Sequence, residues 1–493
     1  MTLPFASSSL VSTPDNAVSA RRLKILACAH ELSPAQGSEC AVGWHCVTQL
    51  ARRHDVTVLC ASGSQHSPSA YKSAVEDYVR VHGPIEGLKF VFVDQPKGAR
   101  ILAALNRKFF GNQGIGFPLL FYGALRFWHR AAYRRAAQLD PSGFDVVHHV
   151  TPIAFWGGSD LWKFGRPYVW GPVSGAGRLS LAFAAWAGRR MLLFEIFRTT
   201  FNSFQALTSI SLRRSVRRAA FVLTVGPEEA DLFLRLGATT PIAMIETAAP
   251  AAARGPRQRR YDGSSKLRLL WSGQHIDRKA LPLLLHALAS PQLRDRIELH
   301  VLGGGPRTEE WQHVARRLGL GNVLWHGQLP HDEAIAAMRK ADVLVHTSIR
   351  EGTPHVVLEA MAEGLPIVCH DIAGLSVAVT DQCGIKVPLV DPATSIAAFG
   401  AAVERLAETP LLVQALSAGA AARAAELTWE AKAEEISRVY ERCVASSAGR
   451  GEHGSISRCL MFELAGTPAA PGPKLNAARS CRSSKAPLAP KTD

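Results

Sequence analysis

Thr347-Ser-Ile-Arg-Glu-Gly-Thr-Pro-His-Val-Val-Leu-Glu-Ala-Met-Ala-Glu-Gly-Leu-Pro-Ile-Val368 decides how this chain folds. It begins just past the apolar run Asp342-Val-Leu-Val-His346, which reads as a strand. Gly352 and Pro354 mark a turn, the following residues have helical spacing, Gly364 ends the helix, and Pro366-Ile-Val-Cys-His370 reads as the next strand. Strand, helix and strand in so short a span imply a parallel pair with a crossover helix.

The same rhythm extends in both directions. Upstream, apolar runs at 23–29, 56–61, 88–94, 145–150, 167–170 and 220–225 alternate with helical stretches. A Pro/Ala/Arg-rich stretch from Thr247 interrupts the rhythm, and runs at 267–271, 298–302, 322–326, 342–346, 366–370 and 384–388 resume it. Strands that are almost continuously apolar belong to sheets covered on both faces. The expected fold is therefore α/β, with two doubly wound Rossmann-like domains facing a cleft at the carboxyl ends of their strands. The expected divisions are a disordered leader (1–20), an N-terminal Rossmann-like domain (21–246), a linker (247–265), a C-terminal Rossmann-like domain (266–425), a C-terminal helix (426–445) and a disordered tail (446–493).

Composition narrows the class. With 493 residues, 47% of them hydrophobic and 20% charged, the chain can bury more than one core, which excludes disorder throughout. Arg126, Arg189 and Arg190 interrupt its most apolar runs, so a spanning helix is not expected. The first twenty residues lack the basic start and apolar stretch of a signal peptide. Nine cysteines, scattered and never spaced CxxC, point to a reducing cytoplasm and away from structural zinc.

The net charge of +15 is concentrated in one half: residues 21–265 carry 31 Lys/Arg against 16 Asp/Glu, whereas residues 266–425 carry 15 against 16. No acid occurs from Gln95 to Leu139, where Arg and Lys interleave with Phe109, Phe110, Phe127 and Trp128. Apolar anchors beside arginine suit an anionic membrane surface better than a duplex groove, so peripheral docking on the inner face of the plasma membrane is expected, and nucleic acid is not an expected partner.

Glu351 lies in the turn after a strand and Glu359 about one helical turn inside the next helix. Both carboxylates can face one ligand, with helix N-terminal amides between them. Such amides bind phosphate, and a carboxylate accepts hydrogen bonds from vicinal hydroxyls, a combination that suits a sugar nucleotide. The alternative is an acid on the helix dipole and a solvated glutamate beside it.

The segment from Glu351 to Val368 resembles the paired-glutamate signature of the retaining family 4 glycosyltransferases of GT-B fold, in the form found in bacterial polysaccharide biosynthesis. Other parts of that pattern follow in order: Gly37-Ser-Glu39, Asp145-Val-Val-His-His149, Trp170-Gly-Pro-Val-Ser-Gly175, Lys279 after Leu270-Trp-Ser-Gly273, and Leu302-Gly-Gly-Gly-Pro306. The resemblance spans about residues 22–445. It implies that Glu351 touches the donor sugar, that Glu359 binds the ribose, and that Gly352, Thr353 and Pro354 frame the diphosphate, Pro354 by shape alone because it has no N–H. It also implies that Lys279 neutralises charge on the departing diphosphate. Where the family often has Arg after the strand glycine this chain has Gln274, and Arg278 is the candidate replacement; an ordinary solvated pair is the other reading of Arg278 and Lys279.

Gly37 permits close approach of a phosphate and Ser38 can cap the following helix, while Glu39 either reaches the acceptor or favours the helix N-terminus. The family presents a histidine at the reacting sugar, and His148 and His149 are both candidates. Gly303, Gly304 and Gly305 form a tight turn near the nucleotide base and lack the second half of a dinucleotide fingerprint. The chain has no AspXAsp metal clamp, GxxxxGK[ST] loop or GxSxG elbow. The expectation is a glycosyltransferase that needs no metal or other cofactor. It would move a hexose from a nucleoside-diphosphate sugar to a lipid-linked or saccharide acceptor with retention, in surface polysaccharide or glycolipid synthesis. A nucleotide-sugar epimerase or hydrolase on the same plan, and a basic nucleic-acid-binding protein, are the alternatives; an NAD-dependent oxidoreductase would need the missing fingerprint.

Overall fold

Two parallel sheets form the frame of the computed structural model. The first contains β1 (Lys24–Ala29), β2 (Asp55–Ala61), β3 (Leu88–Val93), β4 (Val146–Thr151), β5 (Tyr168–Val173), β6 (Ala219–Thr224) and β7 (Pro241–Ala243), in the order β3-β2-β1-β4-β5-β6-β7. The second contains β8 (Leu267–Ser272), β9 (Ile297–Leu302), β10 (Val323–Gly327), β11 (Val343–His346), β12 (Ile367–His370) and β13 (Gly384–Val387), in the order β10-β9-β8-β11-β12-β13. Residues 21–37, 39–64, 67–110, 116–250 and 261–452 are described. The expected leader (1–20), Ser38, residues 251–260 of the linker and 453–493 of the tail lie outside them.

Both sheets are doubly wound, and each strand order reverses beside a central strand: between β1 and β4 in the first and between β8 and β11 in the second. Ligands of such sheets bind outside the carboxyl ends at this reversal. Strands β4, β5, β11 and β12 are buried along their whole length; their largely apolar sequences suit strands covered on both faces, and the buried histidines His148, His149, His346 and His370 are among the polar exceptions. In the segment that decides the fold, the helix His355–Ala362 ends where Gly364 takes a left-handed φ of 71°.

The last helix, Trp429–Glu452, returns to the first half of the molecule. Ala433, Ile436, Tyr440 and Cys443 form one stripe that packs against Leu23, Ile25, Val56 and Val58 of the first sheet. His54 Nε2 lies 2.8 Å from Ser437 Oγ. The helix does not stop at 445: no proline intervenes, and Ser447 Oγ donates to the Cys443 carbonyl (2.9 Å) in the continuing turn.

One surface reading needs correction. Trp128 is fully buried and donates its indole N–H to the Val93 carbonyl (3.0 Å). It faces the first sheet together with Leu125 and Ala132, while Phe127, Arg126, Arg130, Arg134 and Arg135 face outward. Apolar side chains are also exposed on the helix Arg189–Thr208, at Leu193, Phe194, Phe197, Phe204 and Leu207. Among the described residues no helix is long and apolar enough to cross a membrane.

Candidate functional site

A cavity of about 410 Å³ lies between the two halves at the carboxyl ends of their strands. The C-terminal wall is made by Gly273, Gln274, Arg278, Lys279 and the run from Glu351 to Val356; the N-terminal wall by Glu39, Val42 and Ile153; Glu246 and Thr247 join them.

The charged centre is a triad. After β8 the chain makes a short turn, Asp277–Lys279, held against the loop after β11: Ile349 N–H donates to the Arg278 carbonyl (2.9 Å), and Thr347 Oγ donates to the Lys279 carbonyl (2.8 Å). This turn brings Arg278 Nη1 to within 2.6 Å of Glu351 Oε2 and Lys279 Nζ into a hydrogen bond with Glu351 Oε1. Burial pulls the Lys279 ammonium below the ordinary lysine range, with Glu351 opposing the shift. Burial also penalises the Glu351 carboxylate, but Lys279 and Arg278 outweigh it and hold its pKa below the usual value. Arg350, one residue before the triad, pairs with Glu195 Oε2 (2.8 Å), which is buried in the helix Arg189–Thr208. That ion pair ties the two halves together beside the cavity.

Glu246, at the end of the first half, is a site residue that pattern reading does not find. Its Oε1 accepts from the Thr353 backbone N–H (2.6 Å) and its Oε2 from Thr353 Oγ (2.6 Å). A Cβ on residue 352 would collide with Glu246 Oε1, so this contact requires Gly352. The Thr353 amide is thus engaged by a carboxylate and does not offer a free phosphate donor as expected. Burial pushes the Glu246 carboxyl above its ordinary range, opposed by its bonds to Thr353. Isolated in an otherwise irregular stretch, Glu246 has no motif to mark it.

On the opposite wall, Glu39 Oε1 accepts from the Ile153 N–H (2.9 Å). Burial raises both Glu39 and Glu31, and the nearby Glu31 carboxylate raises Glu39 further.

The remaining candidates fall outside the cavity lining. Glu359 lies one turn inside the helix that begins at His355, half-buried on its surface. Gly303 and Gly304 shape the turn after β9: a Cβ at Gly303 would collide with the Gly273 carbonyl, and the Gly304 carbonyl accepts from His275 N–H (3.0 Å). Their contacts are to the cavity-lining loop, not to the cavity. Gly37 precedes Glu39 in an open turn.

His148 and His149 are corrected from cavity residues to core residues, because β4 is covered on both faces. His148 Nδ1 lies 2.6 Å from Tyr440 Oη and its Nε2 lies 2.8 Å from the Gly171 carbonyl, so both nitrogens are taken up within the protein. His149 points to the other face of the sheet and is equally buried.

Two doubly wound parallel sheets with a cleft at the carboxyl ends of their strands define the GT-B fold. Residues 260–423 match the family model described as glycosyl transferases group 1. The chain is 34% identical over 183 residues to a D-inositol 3-phosphate glycosyltransferase of Streptomyces bingchenggensis, which covers 35% of this chain and 39% of that protein. It is 33% identical over 199 residues to the protein of the same description from Streptomyces griseus, covering 38% and 41% respectively. The chain therefore matches about two fifths of the length of these relatives. Among solved structures, sucrose-phosphate synthase from Thermosynechococcus elongatus superposes with a TM-score of 0.55 at 17% identity, covering 86% of this chain and all of that one. A lipopolysaccharide outer core galactosyltransferase in its apo form has the same TM-score at 14% identity and covers 86% of this chain and all of its own. At these identities the likeness is one of fold.

Proposed function

We propose that this chain is a retaining glycosyltransferase of family 4 type that moves a hexose from a nucleoside-diphosphate sugar to an acceptor hydroxyl. The observation that carries this reading is the triad of Glu351, Lys279 and Arg278 in a cleft between two nucleotide-binding-type sheets. A diphosphate entering the cavity would compete with Glu351 for the two cations. Glu351 would then be free to accept hydrogen bonds from the donor sugar, while Lys279 and Arg278 stabilise charge on the leaving diphosphate. With that charge met by two side chains, no metal is assigned to the transfer. Glu359 is assigned to the ribose, and its replacement by Ala is expected to weaken nucleotide binding with the fold intact.

The acceptor is placed on the Glu39 wall. We assign it as a lipid-linked or saccharide acceptor in surface polysaccharide or glycolipid synthesis at the inner face of the plasma membrane. The basic N-terminal half supports this assignment, as do the exposed apolar side chains of the helix Arg189–Thr208. A second acceptor, an inositol phosphate, is favoured by the description of the relatives. Saturation-transfer NMR against UDP, GDP and ADP sugars identifies the donor, and a transfer assay with lipid-linked saccharides and D-inositol 3-phosphate identifies the acceptor. Release of free sugar with no transfer to either acceptor, or absence of sugar-nucleotide binding, would overturn the proposal.

A further inference from the structure

Away from the cavity, between the first sheet and the helix Pro118–Ala136, three potential metal ligands converge. Cys28 and His149 are register partners on β1 and β4, so their side chains leave the same face of the sheet. His129 projects from the helix that covers this face. One ligand atom from each lies within 4.8 Å of the other two. Around a cation with bonds of about 2.0 to 2.3 Å, such atoms stand roughly 3.3 to 4 Å apart, so a small closure of the side chains completes the set.

The hydrogen bonding singles this cluster out. Among the other described buried imidazoles, His54 (with Leu23 N–H and Ser437 Oγ), His148 (with Tyr440 and Gly171) and His370 (with Ser348 and Ser395) use both nitrogens, His30 and His275 use one each, and His346 Nε2 is unpartnered. His129 and His149 are 2% and 0% exposed, and neither ring has a hydrogen-bond partner on either nitrogen. The Pro152 carbonyl lies near His149 without reaching hydrogen-bond geometry. Four unpartnered ring nitrogens beside an unpaired thiol are a costly arrangement for a core, since buried polar groups are ordinarily satisfied. A metal ion would engage one nitrogen of each ring together with the thiolate and so lower that cost.

We propose that Cys28, His129 and His149 bind one thiophilic d10 cation, Cu(I) or Zn(II), at a structural site that joins β1, β4 and the helix Pro118–Ala136. Each neutral imidazole offers the lone pair of one ring nitrogen to the metal, as the convergence of the three side chains requires. Binding displaces the Cys28 thiol proton to solvent and forms a sulfur–metal bond. Thiolate with Cu(I) is neutral overall and thiolate with Zn(II) retains one positive charge; in a dry pocket walled by Trp128 and Trp170 this favours Cu(I). The site would stiffen the acceptor-side wall, because β1 and β4 lead directly into Glu31 and Ile153. Cysteine spacing cannot reveal it, since the ligands come from three separate elements.

Elemental analysis of the full-length protein, purified under reducing conditions and equilibrated separately with Zn(II) and Cu(I), tests the proposal. About one bound equivalent is expected, lost in Cys28→Ser and in His149→Ala but retained in Cys46→Ser, which alters a buried cysteine outside the cluster. Because core variants can fail to fold, X-ray absorption is also measured on the wild-type protein; one sulfur and two imidazole nitrogens in the first shell are expected. The absorption edge distinguishes the two metals, and either supports the site. Less than a tenth of an equivalent with both metals, a first shell without sulfur, or unchanged metal content in a folded Cys28→Ser variant would overturn it.

Discussion

Glu351 sits between two cations in this structure, and its charge determines how firmly they are held. Glu351→Gln keeps the shape of the side chain but removes the anion that competes with a diphosphate. The variant is expected to bind the nucleoside diphosphate several-fold more tightly by calorimetry while transferring sugar at least tenfold more slowly; weaker nucleotide binding would contradict the competition. Lys279→Ala is expected to lower kcat about a hundredfold, with a smaller effect on donor affinity. Steady-state kinetics check this, and a parallel Arg278→Ala variant shows whether Arg278 does the work of the arginine that Gln274 displaces. Glu351 and Lys279 were legible because they stand in short local motifs. Glu246 was not, because its partners Gly352 and Thr353 are more than a hundred residues away and nothing local marks the contact.

At the scale of elements, the helix Trp429–Glu452 follows the C-terminal half in sequence but contributes to the core of the N-terminal half. Tyr440 donates to or accepts from buried His148, and one of the two must lose a partner when the hydroxyl is removed. Tyr440→Phe is therefore expected to cost about 1 to 3 kcal/mol of stability, read as a lower urea midpoint, with donor affinity unchanged because neither residue lines the cavity. A midpoint equal to that of the parent would show that the bond contributes nothing. The amphipathic stripe of this helix was visible in its spacing, whereas the sheet it covers was not, since a stripe specifies a face and not its partner.

At the scale of the whole molecule, the two halves meet through Arg350 and Glu195, through Glu246 and Thr353, and around His370, whose ring packs edge-on against Phe183. Burial lowers the His370 pKa to about 4, opposed by its bonds to the Ser348 and Thr347 backbone. An unfolded histidine takes its proton near pH 6.5, so as pH falls from about 6.5 to about 4 the unfolded chain binds a proton that the folded chain does not. His370 therefore costs stability as acid is added over that window and changes nothing further below it. The stability advantage of the parent over His370→Gln is expected to shrink steadily from pH 6.5 to 4 in urea titrations; parallel curves would refute this. Charge asymmetry acts at the same scale. Binding to anionic vesicles is expected to weaken with salt and to fall when Leu193, Phe197 and Leu207 are changed to Ser, as read by sedimentation; protein left in the supernatant at low salt would point to an acceptor away from the membrane.

The sequence by itself determined the two parallel sheets, because strands buried on both faces must be largely apolar and crossover helices must separate them; the runs at 342–346 and 366–370 carry that information locally. It also located the turn bearing Glu351 and the short loop bearing Lys279. Tertiary structure alone decided which residues share the cavity. The burial of His148 and His149 depends on what covers β4, the engagement of the Thr353 amide on where Glu246 arrives, and the proximity of Glu31 to Glu39 on how the chain turns after β1. Each depends on residues distant in sequence or on a local turn, and on burial that no linear pattern records.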